Sequence, residues 1–561
     1  MIVSIPHASA FFLLFSSALS FTPCPLLGPA FPPFSLNTND ETVAKALKNL
    51  TAQLNELVTE NTGSHGDVSP NTTFSIALFS SDPGHAEDEP FFWQYHHTAP
   101  ALNRSSVGSH AAGKDSIYRI GGLTEVFTVW SLLLAGDGDG DQILDDPVTR
   151  HLPELANSSG EQDVIGHVAW DDVTVGQLAS HMSGIARDYC SKDVAAKAGL
   201  PPPPNIHKPC CGNGSNCDSS EFIRYLANQP PVAPAGVTPS YSNMAFQLLG
   251  YIVERRAGKP FSKVLQDNIF DALGMTETSI FAPVDSSTGI IPVSKEASGW
   301  SARPEGSKAN PQTNRWLKPV SHTSNIANSI GLPWVIYTGG SYPDTSMVDI
   351  YTVLSNEGNN EGLYSSYLGL VPDFGVGFAI LSADSKEPAD LNAHADIIGD
   401  VVLEALMNVA IEQAAENFGG AYKAASASNS NAAINSSITV KYDDLPGLYI
   451  QEFISNGTDF RETLAELVGI ASPGDLSIRL YPSQLVDEED DGSGSRQAFR
   501  AVFQDTTELA DNDTPTCVSW LDLDKFRYGG RGLDEFIFSL DQSGQAVSVE
   551  IPALRVELRK N

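Results

Sequence analysis

Metal chemistry is the first possibility the residues raise, and their spacing argues against it. Asp137-Gly-Asp-Gly-Asp141 begins like an EF-hand calcium loop. Such a loop needs glycine at its sixth position for the sharp turn and a bidentate glutamate at its last. Those positions hold Gln142 and Val148, so the segment reads as a plain surface loop. Cys210 and Cys211 are adjacent rather than spaced as zinc ligands, and no His-Glu-x-x-His occurs. His96-His97 stands at the end of a strand-like run, where two histidines alone make a poor metal site. The chain has no Gly-x-Ser-x-Gly nucleophile elbow and no dinucleotide or phosphate-loop signature. No metal and no cofactor are expected.

The cysteines suit oxidation better. Their even count of 6 fits a secreted protein. Cys190, Cys210, Cys211 and Cys217 crowd one Pro- and Gly-rich stretch, which leaves Cys24 and Cys517 for each other among the many possible pairings. Export is suggested independently. Phe11 to Leu19 is an apolar run of signal-peptide length, and Ala18-Leu19-Ser20 supplies a small-x-small cleavage site, so residues 1–20 are expected to be removed. Asn-x-Ser/Thr sequons stand at Asn49, Asn71, Asn103, Asn157, Asn213, Asn435, Asn456 and Asn512, giving candidate glycosylation sites. The expected location is extracellular.

The elements that must position any chemistry come next. Leu47, Leu50, Leu54 and Leu57 recur at helical spacing on one face. Phe74–Leu78, Phe91–Tyr95 and Ser116–Ile120 read as strands. Val126–Leu134 is apolar nearly all round, as a buried central helix would be. Residues 241–254 form another strongly apolar helix. Tyr364–Leu381 reads as a strand hairpin around Pro372-Asp373, and 395–415 as a helix. Residues 424–437 are polar and low in complexity. Beyond them the period becomes 2, at Ile438–Tyr442, Leu476–Leu480 and Val547–Ile551. The organisation expected is therefore a mixed α/β domain over 21–415, with a Cys-rich insertion at about 186–218, and an all-β barrel or sandwich over 416–561. Asp487–Asp491 is the tip of a solvated hairpin. Apolar residues make up 41% of the 561, enough for large cores. The formal charge of −35 repels phosphates and anionic lipid heads, which excludes nucleic acid as a natural partner. No later run reaches the ~18 apolar residues of a membrane span, so no stable membrane insertion is expected once the signal is cleaved.

Several motifs in order resemble the serine β-lactamase and penicillin-binding-protein family, class C-like, and most closely secreted fungal β-lactamase-like proteins. They are Ser116–Thr128 (SIYRIGGLTEVFT), Leu144-Asp-Asp-Pro-Val148, His151-Leu-Pro153, Leu178-Ala-Ser-His-Met-Ser-Gly-Ile185 and Pro239–Phe246 (PSYSNMAF). The resemblance implies an α+β domain, an antiparallel sheet flanked by helices with a helical subdomain. It implies that His181 is a packed, hydrogen-bonded residue of the Ser-His-x-Ser-Gly helix. It also implies a site. A Ser-x-x-Lys serine at the start of the central helix is acylated, and the lysine one turn on helps deprotonate it. A Tyr-x-Asn tyrosine shuttles the proton. A Lys-Thr-Gly-like strand binds the substrate carboxylate and contributes to the oxyanion hole.

This sequence departs from that pattern at the reacting groups. The Ser-x-x-Lys slot reads Gly122-Leu-Thr-Glu125, and no other Ser-x-x-Lys exists in the chain. Counting back from Tyr367 places the third motif's lysine at Glu357, followed by Gly358; Tyr241 and Asn243 survive. Acylation of residue 122 is impossible, and losing the nucleophile of such a unit costs several orders of magnitude in rate. The expectation is a serine-hydrolase homologue without family-type acyl-enzyme hydrolysis. Two readings of its pocket follow. In one, Glu125, Glu357 and Tyr241 are an acid/base set for cyclisation, isomerisation, elimination or hydrolysis of a small molecule such as a secondary metabolite. Gly122, Asn243, Gly358 and Tyr364 then line the pocket. In the other, catalysis has been lost, Glu125 is simply favoured by the helix dipole in the first turn, and the protein is a secreted small-molecule binder.

Overall fold

The computed structural model describes residues 21, 23–26, 28–81, 91–134, 140–158, 165–188, 219–283, 285–298, 300, 316–325, 327–339, 348–355, 362–424, 435–443, 445–488, 494–507, 517 and 519–561. The expected signal peptide, Asp137 and Asp139, Cys190, Cys210, Cys211, Cys217, Asn213, Asn512, Glu357 and Gly358 lie outside the described residues. The chain divides into two units, one formed by 35–339 and 348–407, the other by the described parts of 1–34 and 408–561. Among the described residues no helix is long and apolar enough to cross a membrane.

The first unit is built on an eight-stranded antiparallel sheet. Its order is Phe91–His97, Thr72–Ser80, Val376–Asp384, Tyr364–Val371, Val348–Ser355, Val335–Gly339, Asn328–Ile330 and Ser321–His322. The expected hairpin turns through Pro372–Phe374 and closes at Gly375, whose φ of 60° favours glycine. The leucine-spaced helix is Glu41–Glu60, N-capped by the Asp40 carboxylate. Leu50, Leu54 and Leu57 are buried, and Leu47 is half-buried. Thr51 and Asn55 of this helix accept from Trp93 and Tyr95 of the edge strand. Phe74, Ile76 and Leu78 alternate into the core, and Phe74 meets the ring of His394 edge-on, centroids 4.6 Å apart.

Another core lies among helices Thr124–Leu134, Val175–Ala179, Ser219–Leu226 and Asn243–Ala257. It is centred on Val129, Leu132, Trp170, Leu178, Leu248 and Ile252. The apolar faces read in the sequence thus become one contiguous cluster, which fixes the axis of the central helix. The expected helix over 395–415 is Asn392–Ile398, a π-turn over Gly399–Leu403, and Glu404–Phe418.

One strand expectation is corrected. Ser116–Ile120 joins no sheet and makes a single isolated bridge, Ile117 to Gly289. Its apolar alternation is real, but side chains of the sheet take over the work of a ladder. Ser355, Ser366, Leu381 and Ser75 are successive register partners across four strands. Three of these four are serines that bond the chain at 118–122. Ser75 Oγ lies 3.0 Å from the Tyr118 hydroxyl, Ser366 donates to Ile120 O at 2.7 Å, and Ser355 Oγ accepts from Gly122 N–H at 2.9 Å.

The second unit is a closed, antiparallel eight-stranded barrel. Around the ring run Ser437–Lys441, Gly420–Ala424, Val556–Lys560, Ala546–Ile551, Glu535–Asp541, Gly494–Asp505, Leu476–Glu488 and Leu448–Ser455, and the last pairs back with the first. Closure removes the exposed edges that an open sheet of this size would present. The alternating positions point Tyr422, Phe453, Phe499, Phe536 and Phe538 inward, all fully buried. Phe499 and Phe538 meet with centroids 5.1 Å apart. Helix Phe460–Val468 belongs to this unit, and Cys24 is disulfide-bonded to Cys517 within it. Asn49, Asn103, Asn435 and Asn456 are exposed and Asn71 is half-buried.

Candidate functional site

The site forms where the turn Gly121–Leu123 runs into the central helix. Leu123 and Val126 are buried against Trp334, Tyr351 and Val353, and Val129, Leu132 and Leu133 against the helical core. With the helix so fixed, Glu125 in its first turn is held inside at 6% exposure. Tyr241 is delivered by the residue just before the Ser242 cap of helix Asn243–Ala257.

The two meet directly. The Tyr241 hydroxyl donates to Glu125 Oε1 at 2.7 Å, with Asn243 Oδ1 at 3.1 Å as a second, longer acceptor. A phenol has one proton, and the shorter contact to a carboxylate takes the larger share of it. Asn243 Nδ2 donates to Asp188 Oδ1 at 2.7 Å, which turns the asparagine's oxygen toward the tyrosine. Arg187 joins from the same turn, its Nε 3.3 Å from Asp188 Oδ2 and its guanidinium 4.5 Å from the centre of the Tyr241 ring.

His181 completes the arrangement. Its ring stacks on Tyr241, centroids 4.6 Å apart. Its Nδ1 lies 3.2 Å from the N–H of Ser242, which can only donate. Nδ1 is therefore the acceptor, and the ring proton sits on Nε2, 3.4 Å from Glu125 Oε2. Both carboxylate oxygens of Glu125 thus face donors. The ring reaches this position because His181 takes a left-handed backbone, φ 56°, after the short helix Val175–Ala179.

Position 122 faces the same group. A Cβ built on Gly122 would lie 3.3 Å from Ser355 Cβ, 3.5 Å from Ser355 Oγ and 3.7 Å from the Tyr241 hydroxyl. A side chain here would press on Ser355 and touch the Tyr241 hydroxyl. What remains is a carboxylate that can accept a proton through a phenol, with no nucleophile on residue 122.

Gly122, Glu125, Tyr241 and Asn243 are thus brought together, while Glu357 and Gly358 lie outside the described residues. Tyr364 is placed elsewhere. It is buried with Tyr118, Ile290 and Trp300, and its hydroxyl donates to Ile290 O at 2.9 Å. Burial pushes its phenol up to about 12. It packs as core and offers no wall to the site. The sequence did not mark Arg187, Asp188 or Ser355. Ser355 becomes visible only once strand register puts it opposite Ser366. His181 stood in a recognised motif, but the direction of its ring depends on the left-handed turn.

Comparison with known proteins finds family models over both regions of the chain. A family model described as Beta-lactamase matches residues 95–313, and one described as Beta-lactamase-like-like, C-terminal domain matches 410–561. A "Beta-lactamase-like protein" of Arthroderma benhamiae is 28% identical, covering 92% of this chain and 92% of its own. Proteins called "Probable hydrolase" from Phoma sp. and Cochliobolus lunatus are each 24% identical, covering 83% and 86% of this chain and 82% and 87% of their own. Among solved structures, a class C β-lactamase covers 66% of this chain and 98% of its own at 13% identity and a TM-score of 0.44.

Proposed function

We propose, from the premise that this chain carries the domains of the β-lactamase family, that it performs proton-transfer chemistry on a small molecule without acylating residue 122. The observation that carries the reading is the Tyr241 to Glu125 hydrogen bond of 2.7 Å, with His181 Nε2 facing the other carboxylate oxygen. A carboxylate whose neighbours are a phenol and an imidazole N–H can take up a proton and return it without a large rearrangement. Glu125 is the base, Tyr241 the relay that touches substrate, and His181 the residue that orients both. Hydrolysis is the favoured reaction class, in keeping with relatives that are called probable hydrolases. Export and glycosylation belong to the same reading and rest on the N-terminal apolar run and the sequons.

The test uses the full-length protein, Glu125→Gln, and the double variant Gly122→Ser/Glu125→Lys on a panel of chromogenic esters and a β-lactam, with intact-mass detection of adducts. Parent turnover should fall ~10²–10⁴-fold in Glu125→Gln, and the double variant should gain an acyl adduct on Ser at 122. Turnover unchanged in Glu125→Gln, or absent from the parent on every substrate, would overturn the reading.

A further inference from the structure

Tyr241 relays a proton well only if something stabilises the negative charge left behind on it. Resting on the reading above, we propose that Arg187 is the positioning residue that does so, holding a positive charge against the tyrosine ring while the proton is on Glu125. Its guanidinium carbon lies 4.5 Å from the centre of that ring. A cation over an aromatic ring is attracted by the ring's electron density, and more strongly once the ring carries a negative charge of its own.

A closed circuit of contacts keeps the arginine there. The Tyr241 hydroxyl faces Asn243 Oδ1 at 3.1 Å, Asn243 Nδ2 donates to Asp188 Oδ1 at 2.7 Å, and Asp188 Oδ2 lies 3.3 Å from Arg187 Nε. Main-chain bonds join the same two segments. Ser242 Oγ donates to Ala186 O at 2.7 Å, and the Met244 N–H donates to Arg187 O at 3.2 Å. The turn that delivers Tyr241 therefore also fixes the segment that delivers Arg187. The other groups against Tyr241 supply no positive charge. Glu125 accepts from its hydroxyl at 2.7 Å, and His181, stacked with centroids 4.6 Å apart, is neutral in the tautomer its contacts select.

The charge moves as follows. The tyrosine O–H bond breaks as its proton passes to Glu125, the carboxylate becomes a carboxylic acid, and the negative charge passes to the phenolate. The phenolate then takes a proton from the substrate or the attacking water, and the carboxylic acid returns its own to the departing group. With the charge on Tyr241, the guanidinium stabilises the transfer more than the resting state, which lowers the barrier. The Arg187 side chain is 43% exposed, so solvent screens part of this effect.

The experiment titrates full-length parent, Arg187→Gln, Arg187→Met and Arg187→Lys, each with and without Tyr241→Phe, from neutral to alkaline pH by tyrosinate absorbance. Subtracting the Tyr241→Phe curve isolates the ionisation of Tyr241. That step should move to higher pH in both neutral variants. It should come back part of the way in Arg187→Lys, which keeps the charge without the flat stack. On the ester panel kcat should fall roughly 3- to 30-fold in the neutral variants, with KM little changed. Thermal melts check folding, and Arg187→Met, which keeps the apolar stem, serves if Arg187→Gln is unstable. A Tyr241 step that stays in place in a folded neutral variant overturns the proposal, because a purely structural arginine could lower the rate without moving it. If the step moves while Glu125→Gln keeps full turnover, the hold of Arg187 on Tyr241 stands and the acid/base reading falls. If Glu125→Gln loses turnover and the step stays, only the role of Arg187 falls.

Discussion

Two buried charges, one in each unit, are satisfied in opposite ways. In the barrel, Arg479 is 2% exposed. Its guanidinium bonds Asp443 Oδ2 at 2.6 Å and the main-chain carbonyls of Pro446 and Gly447 at 3.1 and 3.3 Å. In the α/β unit, Glu125 is 6% exposed, and its partners are the side chains of Tyr241 and His181. Carbonyls neither lose nor gain protons, and arginine stays charged in proteins. The Arg479 guanidinium therefore keeps its charge and staples Asp443 to the carbonyls of Pro446 and Gly447. The two side chains that face the Glu125 carboxylate, Tyr241 and His181, each carry an exchangeable proton. A buried charge that cannot itself lose its proton, and is tied largely to main chain, is structural; a buried carboxyl tied to titratable side chains is a candidate for chemistry.

The sharpest way to break that contrast is to remove the carboxylate from the staple. Asp443→Ala leaves a guanidinium inside the barrel with carbonyls alone, and breaking a buried pair from one side typically costs ~3–5 kcal/mol. Asp443 is itself one-third exposed, so a loss of about 3 kcal/mol, at the low end, is expected in the barrel's urea unfolding transition. Ester turnover should be unchanged. A change in turnover comparable to that of Glu125→Gln would show that the two charges do not play separate parts.

The same contrast separates what the sequence disclosed from what it hid. Period-2 alternation at 438–442, 476–480 and 547–551 marks barrel strands because each has one wet and one dry face. Closure was not legible, since it depends on Ser437–Lys441 pairing with Leu448–Ser455, a register set by the whole ring. In the α/β unit, motif order sufficed to put Gly122, Glu125, Tyr241 and Asn243 in one place. It could not show that Ser116–Ile120 is held by serine side chains instead of a ladder, because no local pattern encodes a partner some 250 residues away. Nor could it place Tyr364 in the core, since an aromatic in a strand fits a pocket wall and a core equally well.

A third buried group belongs to neither class and sharpens the comparison. His394 is 1% exposed, and neither ring nitrogen has a hydrogen-bond partner among the described residues. Its surroundings are Phe74, His97, Thr72 and Ser69, with Asp390 nearby. Burial above all, aided by His97 and opposed by Asp390, pushes its pKa down from 6.5 to about 4. The folded ring stays neutral while the unfolded chain takes up a proton below pH 6.5. Its contribution is therefore intact above pH 6.5 and lost as pH falls toward 4, by about 3 kcal/mol in all. Asp373 works in the other sense, because burial and Asp349 raise its carboxyl to about 6, so the folded form binds a proton earlier. The net pH curve of the parent conceals both. The measurement is the stability of His394→Leu minus that of the parent. That difference should move by about 3 kcal/mol in favour of the leucine variant between pH 7 and 4, and a flat difference would mean the ring is partnered after all.

The smallest effect bears most directly on how the site is held. Ser366→Ala removes the shorter of the two hydrogen bonds to Ile120 O and leaves that carbonyl with the Leu123 N–H at 3.0 Å. A neutral bond of this kind is worth ~1 kcal/mol, so the melting temperature should drop by a few degrees at most. The informative readout is kinetic. The serine row grips the chain at 118, 120 and 122, and Glu125 lies in the first turn of the helix just beyond. If that grip aims the carboxylate at Tyr241, loosening it lowers kcat severalfold with KM little changed, because misplacement of a reacting group is felt chiefly in the transition state. The isosteric Ser366→Cys variant, a weak donor, should recover only part of the loss, and Ser366→Thr more of it. Equal loss of stability without loss of kcat would assign the aim of Glu125 to the packing of Val126 and Val129 alone. The serine row would then belong with Arg479, as a staple that the chemistry does not consult.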